Sequence, residues 1–150
     1  MTDRAGRWIY AIEALAIGVP TLVYSGIVLF LAIPSAITLF LNGVTEGNEA
    51  CRREGAVLFS LGCSGAIGLT AWTVLSRRYL SGGRQTLNKA GHHWWIGLAV
   101  GMALAAYMLY PKGGVAWSDW LPQVGSAWLM GPALLLPAMH LICLKYRSWR

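Results

Sequence analysis

Two side chains in this 150-residue chain could hold charge within otherwise apolar surroundings, Glu13 and His140. Glu13 lies five residues after Trp8, and His140 lies five before Lys145. If Trp8 and Lys145 mark one surface of a membrane, a rise of 1.5 Å per helical residue puts both groups about 7–8 Å below it. Ionisable groups at that depth are the usual pointers to function in a membrane protein. A carboxylate facing an imidazolium would tie the N-terminal apolar block to the C-terminal one. The plainer reading lets each side chain reach the interface separately.

Other reactive residues form no constellation. His92 and His93 fall on the same expected side as His140, but neighbours on a helix point about 100° apart, so one of the two would face inward. A haem or metal site would need histidines opposed well inside the bundle, and no metal or cofactor is expected. Cys51, Cys63 and Cys143 are far apart and contain no C-x-x-C. The expected topology puts Cys51 outside and exposed, Cys63 in the second helix and Cys143 near the inner face. No disulfide is expected at such separations. Ser81-Gly82-Gly83-Arg84-Gln85-Thr86 is glycine-rich and basic, but it lacks the G-x-x-x-x-G-K-[ST] spacing that cradles phosphate. It reads as a flexible turn with its cations against anionic lipid. There is no G-x-S-x-G and no H-E-x-x-H, and six acidic residues are scattered along the chain. The expectation is a protein without enzymatic activity.

The elements that must position these groups are apolar blocks at Ala14–Leu41, Gly55–Leu75, Trp94–Tyr110 and Leu121–Leu144. Each approaches the ~20 helical residues that cross ~30 Å of hydrocarbon. Apolar residues make up 56% of the chain and charged ones 12%, against roughly 45–50% and 25% in soluble domains. Of the 12 Lys and Arg, Arg4, Arg7, Arg77, Arg78, Arg84, Lys89, Lys145, Arg147 and Arg150 fall in the N-terminal segment, second loop and C-terminal segment. Arg52, Arg53 and Lys112 share the first and third loops with Glu46, Glu49, Glu54 and Asp119. This is the positive-inside pattern. It predicts an all-α, multi-pass protein of a bacterial inner membrane, with one compact bundle of four transmembrane helices and both termini cytoplasmic. The expected spans are 12–34, 55–75, 94–110 and 121–144. The net charge of +6 then reflects topology, and nucleic acid is not an expected partner.

The first block exceeds the apolar region of a cleavable signal, about 7–15 residues, and reads as a retained helix. Pro20 and Pro34 are its expected kink or end points, with Ser35–Leu41 continuing at the outer surface. Aromatic residues mark the expected headgroup levels. Trp8, Tyr10, Trp72, Tyr79, Trp94, Trp95, Tyr146 and Trp149 fall inside, and Tyr107, Tyr110, Trp117 and Trp120 outside. Trp128 falls near the middle, as a packing residue.

Small residues supply a packing surface. Ser60, Ser64 and Gly68 recur every four residues on one face of the second helix, and Gly97, Gly101 and Ala105 repeat along the third. Small side chains let helix backbones approach closely in lipid. The first reading is an internal seam between these helices. The alternative is a docking face for a second copy or another membrane protein.

Tyr10-Ala11-Ile12-Glu13-Ala14-Leu15 resembles the first helix of the small multidrug resistance transporters, in which a membrane-embedded glutamate binds protons and cationic drugs. The resemblance covers this segment and one acidic position, and nothing in the other three blocks. It implies an alternative function, a proton-coupled carrier of small solutes or cations using Glu13. The main expectation follows by elimination. The chain acts through helix contacts with the bilayer and with another membrane or membrane-inserting protein, or with itself as a homo-oligomer. An accessory subunit or an immunity protein against a pore-forming toxin would have this build. A phage holin is a further alternative.

Overall fold

The structure, a computed structural model, describes residues 3–109 and 132–146. Among the described residues the regular structure is entirely helical. Helix α1 (Asp3–Glu13) passes through one π-helical turn (Ala14–Gly18) into α2 (Val19–Thr45). Helices α3 (Glu49–Asn88) and α4 (His92–Leu109) follow, then a 3-10 turn (Pro132–Leu134) leading into α5 (Leu135–Tyr146). Two helical stretches, Ala5–Thr45 and Glu49–Asn88, are long and apolar enough to cross a membrane. Tyr110, Lys112, Trp117, Asp119, Trp120, Trp128, Arg147, Trp149, Arg150 and the first part of the fourth block lie outside the described residues.

Neither proline ends the first helical rod. Pro20 has no N–H to give a carbonyl one turn back, and its ring crowds that carbonyl. The chain widens just before it, where the Val19 N–H reaches the Ala14 carbonyl five residues back. One such wide turn is the usual form of a π-bulge in an α-helix. Pro34 ends nothing, because α2 runs on to Thr45. Around it the Ser35 hydroxyl donates to the Leu31 carbonyl at 2.8 Å and the Thr38 hydroxyl to the Pro34 carbonyl at 3.0 Å. Hydroxyls placed in this way help to satisfy the backbone near a helical proline. The first helix therefore does not close near residue 34.

At the α2–α3 turn, Gly47 adopts φ 66°, a left-handed conformation that glycine takes without penalty. Asn48 then caps α3, its side-chain oxygen accepting from the Ala50 N–H at 3.1 Å and the Cys51 N–H at 3.3 Å. Two glycines bring the hairpin together. A Cβ on Gly55 would meet the Phe40 nitrogen at 2.5 Å and the Ala36 oxygen at 2.8 Å, and one on Gly43 would strike the Arg52 backbone. The same contact recurs between α3 and α4, where a Cβ on Gly68 would lie 2.5 Å from the Gly101 Cα.

Helix α3 continues past the apolar block that closes at Leu75. It bends at Gly83 (φ 66°, ψ −154°) and continues to Asn88. The Thr86 hydroxyl holds the bend, within 2.6 Å of the Arg78 carbonyl and 2.9 Å of the Gly83 carbonyl. The bend folds Leu87 and Ala90 onto the core, where both are buried. The segment expected to be a flexible turn is thus a bent helix, because burying Leu87 rewards an ordered backbone.

The outward surface is apolar. Leu15, Val23, Ile27, Phe30 and Leu31 stand exposed along the first rod, Phe30 at 78%. No charged residue interrupts the stretch between Glu13 and Glu46. The charges gather at the ends. Contacts of Tyr10 with Tyr79 and His140, and of Lys145 with Trp95, bring the start of α1, the far end of α3, the start of α4 and the end of α5 together. Arg7, Arg77, Arg78, Arg84, Lys89 and Lys145 belong to those segments. The opposite end holds the α2–α3 turn with Glu46, Glu49, Arg52, Arg53 and Glu54.

Candidate functional site

At the basic end, a polar corner forms where α1, α3 and α5 meet. Its centre is the pair Glu13 and His140, with Oε2 and Nδ1 2.6 Å apart and side chains 22% and 27% exposed. The structure brings these two together instead of sending each separately to the surface. The reason lies in the neighbouring turns. Tyr10, one turn before Glu13, is fully buried and sets its ring edge-on against His140, with centroids 5.4 Å apart. The Tyr10 hydroxyl lies 2.6 Å from the Ser76 Oγ, joining α1 to α3 by a buried hydrogen bond. Tyr79, also fully buried, meets the Tyr10 ring edge-on at 5.3 Å. Edge-to-face pairs of this kind add about 0.5–1.5 kcal/mol beyond their area.

Glycines make room for these rings. A Cβ on Gly6 would come within 3.1 Å of the Tyr79 hydroxyl, and one on Gly18 would overlap the Trp72 ring. Trp72 is 5% exposed and closes the corner on the side of the bundle interior. At the rim, the Lys145 ammonium lies 4.2 Å from the centre of the Trp95 ring, a cation–π contact.

Tyr10, Trp72 and Tyr79 therefore correct the expected aromatic belt. They point into the bundle, whereas Trp8, Tyr107 and Tyr146 face outward. A signal for this was present in the spacing. Gly6, Tyr10, Glu13 and Trp72, Ser76, Tyr79 both step by four and then three residues, which puts each trio on one helical face. The stripe on the first rod continues through buried Ala14, Gly18, Thr21 and Ser25.

The expected packing face divides. Gly68, Gly97 and Ala105 are buried, and Gly101 lies against Gly68 in the α3–α4 seam. A Cβ on Gly97 would meet the Ala71 Cβ at 3.1 Å. Ser60 is exposed and Ser64 half-buried, and their hydroxyls turn back to the carbonyls of Ala56 and Ser60. The four-residue repeat does not mark the contacts on α3, because its neighbours' backbones come closest at Gly55, against α2, and at Gly68, against α4.

Among the described residues, no group of three His, Cys, Asp or Glu side chains is placed to hold a metal ion. His92 and His93 are exposed, with the His93 ring 4.9 Å from that of Trp94. Cys51 is half-buried instead of exposed, Cys63 is half-buried, and Cys143 is exposed; all three are free thiols. Comparison with known proteins adds no relative: no family model, curated protein or solved structure matches the chain.

On its geometry, the corner can hold three helices in register by hydrogen bonds and ring packing, and it can present the Glu13 and His140 side chains to a small polar or cationic group.

Proposed function

We propose that this chain is a multi-pass protein of a bacterial inner membrane, both termini cytoplasmic, that acts without catalysis by packing against another membrane or membrane-inserting protein. The observation that carries the reading is an outward-opening groove of about 440 Å³ between α2 and α3. Gly26, Ala66 and Thr70 line it beside Phe30 and Pro34. A Cβ on Gly26 would meet nothing within 4 Å, so this glycine is not needed by the fold. Small residues on an outward, apolar face suit the close approach of a partner helix in lipid. The expected docking stripe on α4 is occupied internally, which moves the candidate face to α2 and α3. An accessory subunit and an immunity protein both fit this reading. A holin fits less well, because extensive internal glycine seams build a stable bundle.

A photo-crosslinker at Thr70 tests the partner in native membranes. The expected result is one discrete protein adduct that disappears in Gly26→Leu while abundance stays normal. Adducts with lipid alone would overturn the interaction reading. Reporter fusions at residues 47 and 150 test the topology. Position 150 should report inside and position 47 outside, following the gathered basic residues. An outside C-terminus would reverse the assignment.

The polar corner favours a second reading, a proton-coupled carrier of small solutes or cations at Glu13. Titration of the purified protein with lipophilic cations separates the two. Saturable binding abolished by Glu13→Gln would establish the carrier; the expected result is none.

A further inference from the structure

The helices line a partly open cavity of about 310 Å³. It runs along α2 from Ser25 to Ala32, along α3 from Leu58 to Trp72 and along α4 from Leu98 to Ala105, with Leu134, Leu135 and Ala138 closing the α5 side. At 1.5 Å per residue these walls are about 10–20 Å long, so the space is elongated. Gly62, Gly65, Gly68 and Gly101 are among its lining residues, and of these Gly65 alone has room for a side chain without a tight contact. A Cβ on Gly65 would stand in ordinary contact, 3.6 Å from Leu29 and 3.7 Å from Leu104.

The lining selects its occupant. Among the described residues it contains no Asp, Glu, Lys, Arg or His, and Ser25 is the one hydroxyl-bearing residue. A buried water needs two to four polar partners, and apolar cavities of about 150 Å³ stay dry and take benzene. This cavity has about twice that volume. The Glu13–His140 pair lies beyond Trp72, among residues outside the lining. Among the described residues, then, an ion finds no charged side chain here and a polar solute finds one hydroxyl. The walls come from the middle of the two span-length helices, and the cavity is partly open. Around a membrane-spanning protein the medium at that depth is phospholipid acyl chain, present in large excess over any dissolved apolar molecule, and mass action favours it.

We propose that this cavity holds one acyl chain of a membrane phospholipid, threaded between α2, α3, α4 and α5. The proposal rests on the membrane reading above. The acyl chain fills the space beside Gly65, adding dispersion contacts and burial to the protein contacts that already join the hairpin to α4 and α5.

The test uses the full chain in vesicles of phosphatidylethanolamine and phosphatidylglycerol, doped with phosphatidylcholine carrying a diazirine on one acyl chain. After irradiation, adducts are mapped by peptide mass spectrometry. Adducts are expected at Leu61, Met102 and Leu104 as well as at the outward Phe30 and Leu31. In Gly65→Leu the interior adducts should vanish while the outward ones persist. Ala105→Leu serves as a second filling variant, and helicity and elution volume show that either variant is folded. Outward adducts without interior ones would overturn the cavity proposal and leave the membrane reading standing. Interior adducts unchanged in both folded filling variants would also overturn it. Absence of adducts at every position would remove the membrane reading and the proposal with it. A parallel arm with a diazirine fatty acid identifies the source. Interior adducts from the free acid alone would overturn the assignment to phospholipid.

Discussion

The glycine seams and the polar corner hold this bundle together by opposite means. Between α3 and α4, Gly68 and Gly101 put backbone against backbone with no polar side-chain contact at the crossing. Between α1, α3 and α5, bulky rings keep the backbones apart, and the link runs through Tyr10–Ser76 and Glu13–His140. The first contact tolerates almost no added volume. The second tolerates loss of an atom but depends on matched donors and acceptors. Close approach is thus spent on geometry and wide approach on chemistry, and a polar site can form at the wide end alone.

The largest effect should come from the seam. Gly101→Leu must displace the Gly68 backbone, because even a Cβ would lie 2.6 Å from its Cα. Overpacking commonly costs about 1–3 kcal/mol, and backbone yields less readily than a side-chain tip, so the cost should reach or exceed the upper end. Thermal unfolding in detergent, followed by circular dichroism, should show a large drop in Tm or no folded protein. Gly26→Leu, with open space around its Cβ, should leave Tm nearly unchanged. Equal effects at Gly26 and Gly101 would erase the distinction between seam and groove.

Breaking the Glu13–His140 pair comes next. Its side chains are about a quarter exposed, so the cost of His140→Ala should fall between the ~0–1 kcal/mol of a surface pair and the ~3–5 kcal/mol of a buried one. Glu13→Gln keeps the shape and one hydrogen bond and should cost less than His140→Ala in the same denaturation assay. A larger loss from Glu13→Gln would show that charge, more than packing, holds α5 in place.

Tyr10→Phe removes the bond to Ser76 while keeping both ring contacts, and about 1 kcal/mol of stability should go with it. A double-mutant cycle with Ser76→Ala measures the coupling. Strict additivity would mean that the 2.6 Å contact contributes nothing. The smallest effect belongs to Asn48→Ala, which removes the cap of α3 at an exposed turn for about 1 kcal/mol or less, read as fraying in amide exchange at Ala50 and Cys51.

The sequence by itself determined the helical class, the apolar stretches and the separation of charges, since these depend on local composition and on 3.6-residue periodicity. It also singled out Glu13 and His140 as matched in depth. What it left open were contacts across the bundle. Tyr10, Trp72 and Tyr79 have the composition of interface aromatics, and whether such a ring faces lipid or core depends on which helix stands opposite. The prolines marked places of strain, but a π-turn before Pro20 and hydroxyl bonds around Pro34 let the helix continue. Ser60 and Ser64 shared a stripe with Gly68, yet the neighbouring backbones select Gly55 and Gly68. A seam requires a glycine at the height where the neighbouring backbone comes closest, whether that neighbour is Gly101, Phe40 or Arg52, and only the tertiary structure decides which heights coincide.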